Sequence, residues 1–342
     1  MKYRKMGRTG LMVSELSLGC MNFGNQTKEE DAVKIVQRAH ELGINHFDTA
    51  KIYPIGGSGS GISEGILGRA IKTFRHDIII TTKTEGLSRK EIMESVEGSL
   101  KQLETDYIDI YLAHGREPKT PMDETLRAFD DLVHSGKVRY TGCSNHHTWE
   151  IAKSLWISDK HNLARFDCIQ FRYNLLSRMP EWDTIPFCNS ERIGLFVYNP
   201  LAGGLLAGGI YAQGEKQVTA YTPGSPRPKI GRFVSDGYTH RYWNERNLEA
   251  VQQLRDIANK YGHTPIQMAL AWLISNKNIT SLLSLVDYPD QINQNAAAIE
   301  ITLSEQEIAE CNEIYESMLP TGWLDVEVGK GRFSLDPPEF AY

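Results

Sequence analysis

The feature that most constrains this chain is a regular alternation of short apolar runs rich in β-type residues with longer stretches of helical spacing, from Leu16 almost to the end. Eight such runs stand out: Leu16 to Cys20, His46 to Ala50, Asp77 to Lys83, Ile108 to His114, Val138 to Ser144, Phe166 to Phe171, Gly194 to Tyr198 and Ile279 to Val286. Between them, Glu29 to Leu42 puts Ala32, Val36, Ala39 and Leu42 on one face, and Ser88 to Glu104 does the same with Ile92, Val96, Leu100 and Leu103. That is the period of an amphipathic helix. Ser63 reads as the cap of a helix running to Lys72. Strands that alternate with helices predict a parallel sheet, and eight of them predict an α/β fold closed as a (β/α)₈ barrel rather than an open doubly wound sheet.

A hairpin, Lys2 to Met6 against Leu11 to Ser14, precedes the first run, and a glycine-rich segment from Leu201 to Trp243 follows the seventh. Loops of that length inside a domain are usually functional. The expectation is a single barrel domain over 1–342 with a tail at about 320–342. With 41% hydrophobic and 23% charged residues, the chain can bury a large core without crosslinks. Its net charge of −6, from 43 acids against 37 bases, provides no global basic field for nucleic acid or an anionic membrane. The five cysteines are scattered, with no zinc spacing, and read as reduced thiols with no metal site. No run approaches the ~20 apolar residues of a membrane span and the N-terminus lacks a secretory pattern, so a cytoplasmic protein acting on small molecules is expected.

The chemistry gathers at the strand ends. Asp48 and Tyr53 flank the end of the second run, Lys83 ends the third and His114 the fourth. In a parallel barrel these ends meet on one rim. Each residue alone has a plain reading: Tyr53 a packed aromatic, Lys83 a solvated strand end, His114 a rim histidine, Asp48 a turn cap. Together they make a proton-donating site. A phenol, with an ordinary pKa near ~10, is a poor acid at neutral pH; a neighbouring ammonium favours its ionised form, and a carboxylate keeps that ammonium charged. His114 is then placed to bond a substrate oxygen or relay a proton. Such a site still needs a hydride donor, hence a cofactor. The G-x-G-x-x-G fingerprint of an open dinucleotide fold is absent, since Gly57-Ser58-Gly59-Ser60-Gly61-Ile62 breaks it at the last position.

These residues carry a resemblance. Phe47-Asp48-Thr49-Ala50 with Tyr53, Ser63-Glu64-x-x-Leu67-Gly68, Thr82-Lys83, Leu112-x-His114, Gly142-x-Ser144-Asn145, Gln170-x-x-Tyr173-Asn174 and Tyr198-x-Pro200-Leu201-x-x-Gly204 together resemble the aldo-keto reductase family, in order and over nearly the whole chain. The resemblance implies a (β/α)₈ barrel that interconverts a carbonyl (aldehyde, ketone or keto-sugar) and its alcohol with NAD(H) or NADP(H). It implies Tyr53 as general acid and base, Lys83 and Asp48 as its tuners, and His114 as orienter of the substrate. It also assigns Ser144, Asn145 and Gln170 to the nicotinamide carboxamide and Tyr198 to stacking on the ring. Pro200, Leu201, Gly203, Gly204 and Leu205 fall to the pyrophosphate loop, and Gln291 and Asn295 to the adenine.

The sequence departs from the family pattern at Pro54, in a Gly/Ser-rich insertion at 56–61, at Asn199 where serine is usual, and at Leu285-Val286-Asp287-Tyr288. Between Ser281 and Asn295 there is no lysine or arginine to hold a 2′-phosphate, and Asp287 falls about where a phosphate-binding hydroxyl would sit. A carboxylate there favours a free 2′-hydroxyl, so NAD(H) is expected to serve at least as well as NADP(H). The alternative makes Asp287 a helix cap before Pro289, with Lys229 or Arg232 reaching the phosphate. A substrate of sugar-like character is one reading of the aromatics and cations of the long loop and tail, such as Tyr221, Arg227, Trp323 and Phe333; loop anchoring is the other. A second function stays open, a cofactor-sensing regulatory or binding subunit with little turnover. A hydrolase is disfavoured, since neither G-x-S-x-G nor H-E-x-x-H occurs.

Overall fold

The computed structural model describes residues 1–55, 61–207 and 236–319. The strands are β1 (Tyr3–Lys5), β2 (Met12–Ser14), β3 (Leu16–Gly19), β4 (His46–Asp48), β5 (Ile79–Thr84), β6 (Ile108–Ala113), β7 (Val138–Ser144), β8 (Phe166–Arg172), β9 (Gly194–Tyr198) and β10 (Ser281–Leu285). The helices are α1 (Glu29–Glu41), α2 (Ile62–Ala70), α3 (Arg89–Gln102), α4 (Met122–His134), α5 (Thr148–His161), α6 (Thr184–Ser190), α7 (Asp236–Tyr242), α8 (Glu245–Lys260), α9 (Pro265–Ser275), α10 (Pro289–Ala298) and α11 (Glu305–Met318). β1 and β2 form the antiparallel N-terminal hairpin. β3 to β10 close into a parallel barrel in sequence order, with β10 pairing both β9 and β3. The expected (β/α)₈ barrel is therefore the observed fold. No helix among the described residues is long and apolar enough to cross a membrane.

Two compact units can be distinguished. The first comprises Met1–Phe171, Phe187–Tyr198 and Asn278–Ala296 and contains the barrel strands, β8 up to Phe171. The second is drawn from Arg172–Pro186, Asn199–Lys277 and the segment from Ala297 onward.

The barrel interior is layered by the two-residue period of its strands. At the bottom, Met6 and Val13 from the hairpin region pack with Ile79, Ile110, Leu112, Cys168 and Phe196. Above Ile79 on the same face of β5 comes Thr81, whose hydroxyl lies 2.7 Å from His46 Nε2. The other ring nitrogen of His46 meets Ser17 Oγ at 2.7 Å, and Ser17 meets Ser281 Oγ at 2.5 Å. The next residues on those faces are Lys83 on β5 and Asp48 on β4. All six residues of β5 are buried even though Thr81 to Thr84 are polar, and each of the four finds a partner, as a buried polar group must.

Burial holds the His46 imidazole down to about 4, with smaller opposing effects from Asp48 (upward) and Lys83 (downward). The ring is therefore neutral in the folded protein at pH 7. Because its folded pKa lies below the unfolded value of about 6.5, the unfolded chain binds the proton first; stability is complete above pH 6.5 and declines as pH falls toward 4. The expected loss between pH 7 and 5 is about 2 kcal/mol. Urea unfolding of wild type and His46→Gln across that window checks it. The variant is expected to be less stable at pH 7 but to have a flatter pH slope, whereas equal slopes would remove His46 from the account.

The Ser63-Glu64-x-x-Leu67-Gly68 run proves to be a brace. Ser63 does not cap the helix: α2 begins at Ile62 behind Gly61. Its hydroxyl donates to the Cys20 carbonyl at 2.7 Å and lies 2.9 Å from Thr49 Oγ1, tying α2 to the ends of β3 and β4. The Thr82 hydroxyl donates to Glu64 Oε1 at 2.6 Å. Burial raises the Glu64 pKa, an effect eased by Thr82 and Ser99. The outward-facing residue beside Lys83 thus joins β5 to α2, while Lys83 faces the barrel interior.

Candidate active site

The C-terminal ends of the barrel strands bring the candidate residues together. Asp48 is the last residue of β4, Lys83 the penultimate residue of β5, and His114 follows β6 directly. Ser144 and Tyr198 end β7 and β9, and Gln170 lies near the end of β8. Lys83 is fully buried and its ammonium donates three hydrogen bonds, to Asp48 Oδ1 at 2.7 Å, Asp48 Oδ2 at 2.8 Å and the Thr49 carbonyl at 2.7 Å. Gln170 Nε2 donates to Asp48 Oδ2 at 2.8 Å. An ion pair this deep is retained because each charge finds a full set of partners.

Tyr53 sits in the turn after β4. Its amide donates to the Ala50 carbonyl at 3.0 Å, and its carbonyl accepts from the Ser63 amide at 3.3 Å. The phenol is 7% exposed. Its ring centroid lies 5.2 Å from Lys83 Nζ, and its hydroxyl is 3.3 Å from His114 Nε2, with the two rings edge to face. A nearly buried phenol thus has a cation at its ring and an imidazole nitrogen at its oxygen. This arrangement can deliver a proton to a small oxygen acceptor or take one back.

Asn145, with φ of 60°, links the rim. Its Nδ2 donates to the His114 carbonyl and to Ser144 Oγ, both at 3.0 Å, and its Oδ1 accepts from the Tyr198 hydroxyl at 2.8 Å. The glycine of the Gly142-x-Ser144-Asn145 run is dictated by packing, since a Cβ at Gly142 would lie 2.2 Å from the Cys168 carbonyl. The β7–β8 register shifts at that same point.

The last barrel strand leads to a second cluster. Asp287 does not cap α10; its Oδ1 accepts from Asn22 Nδ2 at 2.7 Å, and Asn22 also donates to the Val286 carbonyl at 2.6 Å. The residue that folds back over the start of α10 is Gln291, whose Oε1 accepts from the amides of Asp287 (2.7 Å) and Tyr288 (3.3 Å). Asn295 Nδ2 donates to Ser284 Oγ at 2.7 Å.

In the second unit, Asn199 takes a left-handed φ of 61° and organises the turn after Tyr198. Its Oδ1 accepts from the Gly203 amide at 2.6 Å, and its Nδ2 donates to the Tyr242 hydroxyl at 2.7 Å. Asparagine tolerates left-handed backbone better than most residues, which gives the departure from serine a physical reason. Gly204 has φ of 99° and open space where a Cβ would stand. Pro200, Leu201 and Leu205 lie in or beside the same turn, whose helical part spans Ala202–Ala207.

Some expectations fall outside the described residues: the insertion at 56–60, the loop at 208–235 with Tyr221, Arg227, Lys229 and Arg232, and the tail from Pro320 with Trp323 and Phe333. Two residues that were not expected contact the candidate residues. Asn22 holds Asp287, and Glu85 Oε1 lies 2.5 Å from His114 Nδ1. Both stand within three residues of the end of a barrel strand, which is the signal that would have found them.

A model described as the aldo/keto reductase family matches residues 15–316 of the chain. An uncharacterized oxidoreductase of Bacillus subtilis (strain 168) is 31% identical over 332 residues, covering 92% of this chain and 96% of that protein. A putative voltage-gated potassium channel subunit beta of Schizosaccharomyces pombe is 36% identical over 320 residues, 87% of this chain and 88% of that protein. Versiconal hemiacetal acetate reductase of Aspergillus parasiticus is 28% identical over 354 residues, 92% of this chain and 97% of that protein.

Proposed function

The chain belongs to the aldo/keto reductase family, and from that premise we propose that it is an NAD(P)(H)-dependent oxidoreductase that interconverts a small carbonyl compound and its alcohol. The observation that carries this reading is the buried Lys83–Asp48 pair beside a nearly buried phenol. Tyr53 is assigned as general acid toward an aldehyde, ketone or keto-sugar oxygen, and as base in the reverse direction. Lys83 supplies positive charge beside the phenol where negative charge develops, the most effective use of a fixed charge in a dry site. Asp48, itself held by Gln170, and the Thr49 carbonyl keep Lys83 in place. His114 orients the reacting oxygen.

The donor set fits a nicotinamide dinucleotide. Gln170 has its carbonyl oxygen and Ser144 its hydroxyl hydrogen for a carboxamide, which needs both a donor and an acceptor. Asn145 belongs to that group by resemblance, although its amide is engaged with His114, Ser144 and Tyr198 in this structure. Tyr198 is assigned to the ring face. The left-handed turn at Gly203 and Gly204, with open space beside Gly204, suits close backbone approach of a pyrophosphate, with Pro200, Leu201 and Leu205 beside it. Gln291 and Asn295 are assigned to the adenine. When bound, the cofactor supplies or accepts the hydride. Turnover of a panel of aldehydes, ketones and keto-sugars, followed by nicotinamide absorbance, tests the proposal; a folded protein that binds the dinucleotide but reduces none of them would overturn it. That outcome would favour the second reading, a cofactor-sensing subunit, which the channel-subunit names of some relatives support. The cytoplasm is the proposed location, to be checked by fractionation.

Asp287 bears on cofactor choice. Its Oδ1 is held by Asn22, its second oxygen takes no hydrogen bond among the described residues, and no lysine or arginine lies between Ser281 and Asn295. We expect kcat/KM with NADH to equal or exceed that with NADPH, and Asp287→Ser to move the preference toward NADPH. A wild-type preference for NADPH above roughly tenfold, about 1.4 kcal/mol, would show that a cation from another part of the chain governs the choice.

A further inference from the structure

We propose that Glu85 is a positioning residue for His114, one that sets which imidazole nitrogen faces Tyr53 and in which protonation form. The inference rests on the reading of Tyr53 and His114 given above and adds a residue outside the family motifs quoted for this chain. His114 is held from three directions. Its amide donates to the Thr84 carbonyl at 2.9 Å, and its own carbonyl accepts from Asn145 Nδ2 at 3.0 Å. Its ring Nδ1 lies 2.5 Å from Glu85 Oε1. Thr84 and Glu85 are consecutive, so the segment that pins the backbone of His114 also pins its ring.

The chemistry of the carboxylate decides the rest. A carboxylate offers only lone pairs, so the imidazole nitrogen facing it must carry the hydrogen. In a neutral ring this leaves the lone pair on Nε2, the nitrogen 3.3 Å from the Tyr53 hydroxyl. Tyr53 is then the donor of that contact, with its hydroxyl hydrogen aimed along the line to Nε2. In the resting site Nε2 of a neutral ring accepts from Tyr53, and a carbonyl oxygen entering the site competes with it for that hydrogen. For His114 to orient the substrate oxygen by donation, the ring must carry a second hydrogen, on Nε2. An outer partner that fixes tautomer and ring direction is a recurrent device wherever one imidazole nitrogen does the work.

The plain alternative is a surface ion pair. Glu85 is 47% exposed, and exposed pairs contribute little to stability. Stability is therefore the wrong readout; the tautomer and the kcat–KM split are the right ones. Nitrogen-15 spectra of the histidine rings in the resting protein are expected to show His114 protonated at Nδ1. In Glu85→Ala that preference is expected to be lost, and kcat to fall about 10–100-fold, the usual effect of removing an outer partner, with KM little changed. Glu85→Gln, whose amide oxygen still accepts from Nδ1, is expected to keep the tautomer and most of the activity. A wild-type His114 protonated at Nε2 would overturn the proposal. So would Glu85→Ala with wild-type kcat, or Glu85→Gln as impaired as Glu85→Ala. A wild-type protein that reduces no carbonyl would instead defeat the reading of the reaction; the ring spectra of wild type and Glu85→Ala would still decide the role of Glu85.

Discussion

Tyr53→Phe is expected to lower kcat for carbonyl reduction by about 10²–10⁴-fold, the usual contribution of a general acid, while the affinity for the dinucleotide stays close to wild type. The substitution removes a single hydroxyl from a ring that is 7% exposed, so the packing around it is retained. The loss should fall on kcat and kcat/KM together, as for an interaction made in the transition state alone. Steady-state kinetics with a dinucleotide titration provide the measurement. Wild-type turnover in folded Tyr53→Phe would remove the phenol from the chemistry and leave the buried ion pair without a catalytic purpose.

The second large effect is expected at Lys83. Its ammonium is fully buried and takes up both oxygens of Asp48 and the Thr49 carbonyl. Lys83→Met leaves the Asp48 carboxylate with the Gln170 amide as its remaining partner here. Breaking a buried pair from one side costs about 3–5 kcal/mol because the other charge stays buried. Turnover is expected to fall as well, since no cation then stands 5.2 Å from the phenol ring. The double variant Lys83→Met/Asp48→Asn separates the two effects. It is expected to regain much of the stability, having no unpaired charge, and none of the activity. Urea unfolding and kcat on the same three proteins read this out. Recovery of activity in the double variant would mean that Lys83 serves only to neutralise Asp48.

Much of the architecture was legible because the strand and helix periods are local properties. The seven residues of Val138 to Ser144 read as a strand from their own pattern, as do the five of Gly194 to Tyr198, and both runs have those bounds in the fold. Elsewhere the ends moved by a few residues. Asp77 belongs to a short 3₁₀ turn before β5, and α2 ends at Ala70 rather than at Lys72. Ser63 misled for a definite reason. A serine at the start of an apolar helical stretch looks like a cap, but here its hydroxyl is drawn to the Cys20 carbonyl, a partner 43 residues away. The alternative reading of Asp287 as a cap before Pro289 fails in the same way, because its Oδ1 accepts from Asn22.

By itself, then, the sequence determined the eightfold alternation, the hairpin before it, and the placing of an acid, a phenol, an ammonium and an imidazole near the ends of successive strands. These follow from spacing along the chain, and a parallel barrel carries all such ends to one rim. Which atoms meet inside the barrel and on that rim was decided by the tertiary structure alone. Ring closure sets Ser17 against Ser281 across 264 positions and Asn22 against Asp287 across 265. Strand register turns Lys83 inward to Asp48 while Thr82 faces Glu64. The loop after β5 lays Glu85 against His114. A hydrogen bond depends on the last half ångström between two side chains, and that distance is fixed by the closure and register of the whole barrel rather than by any stretch of sequence.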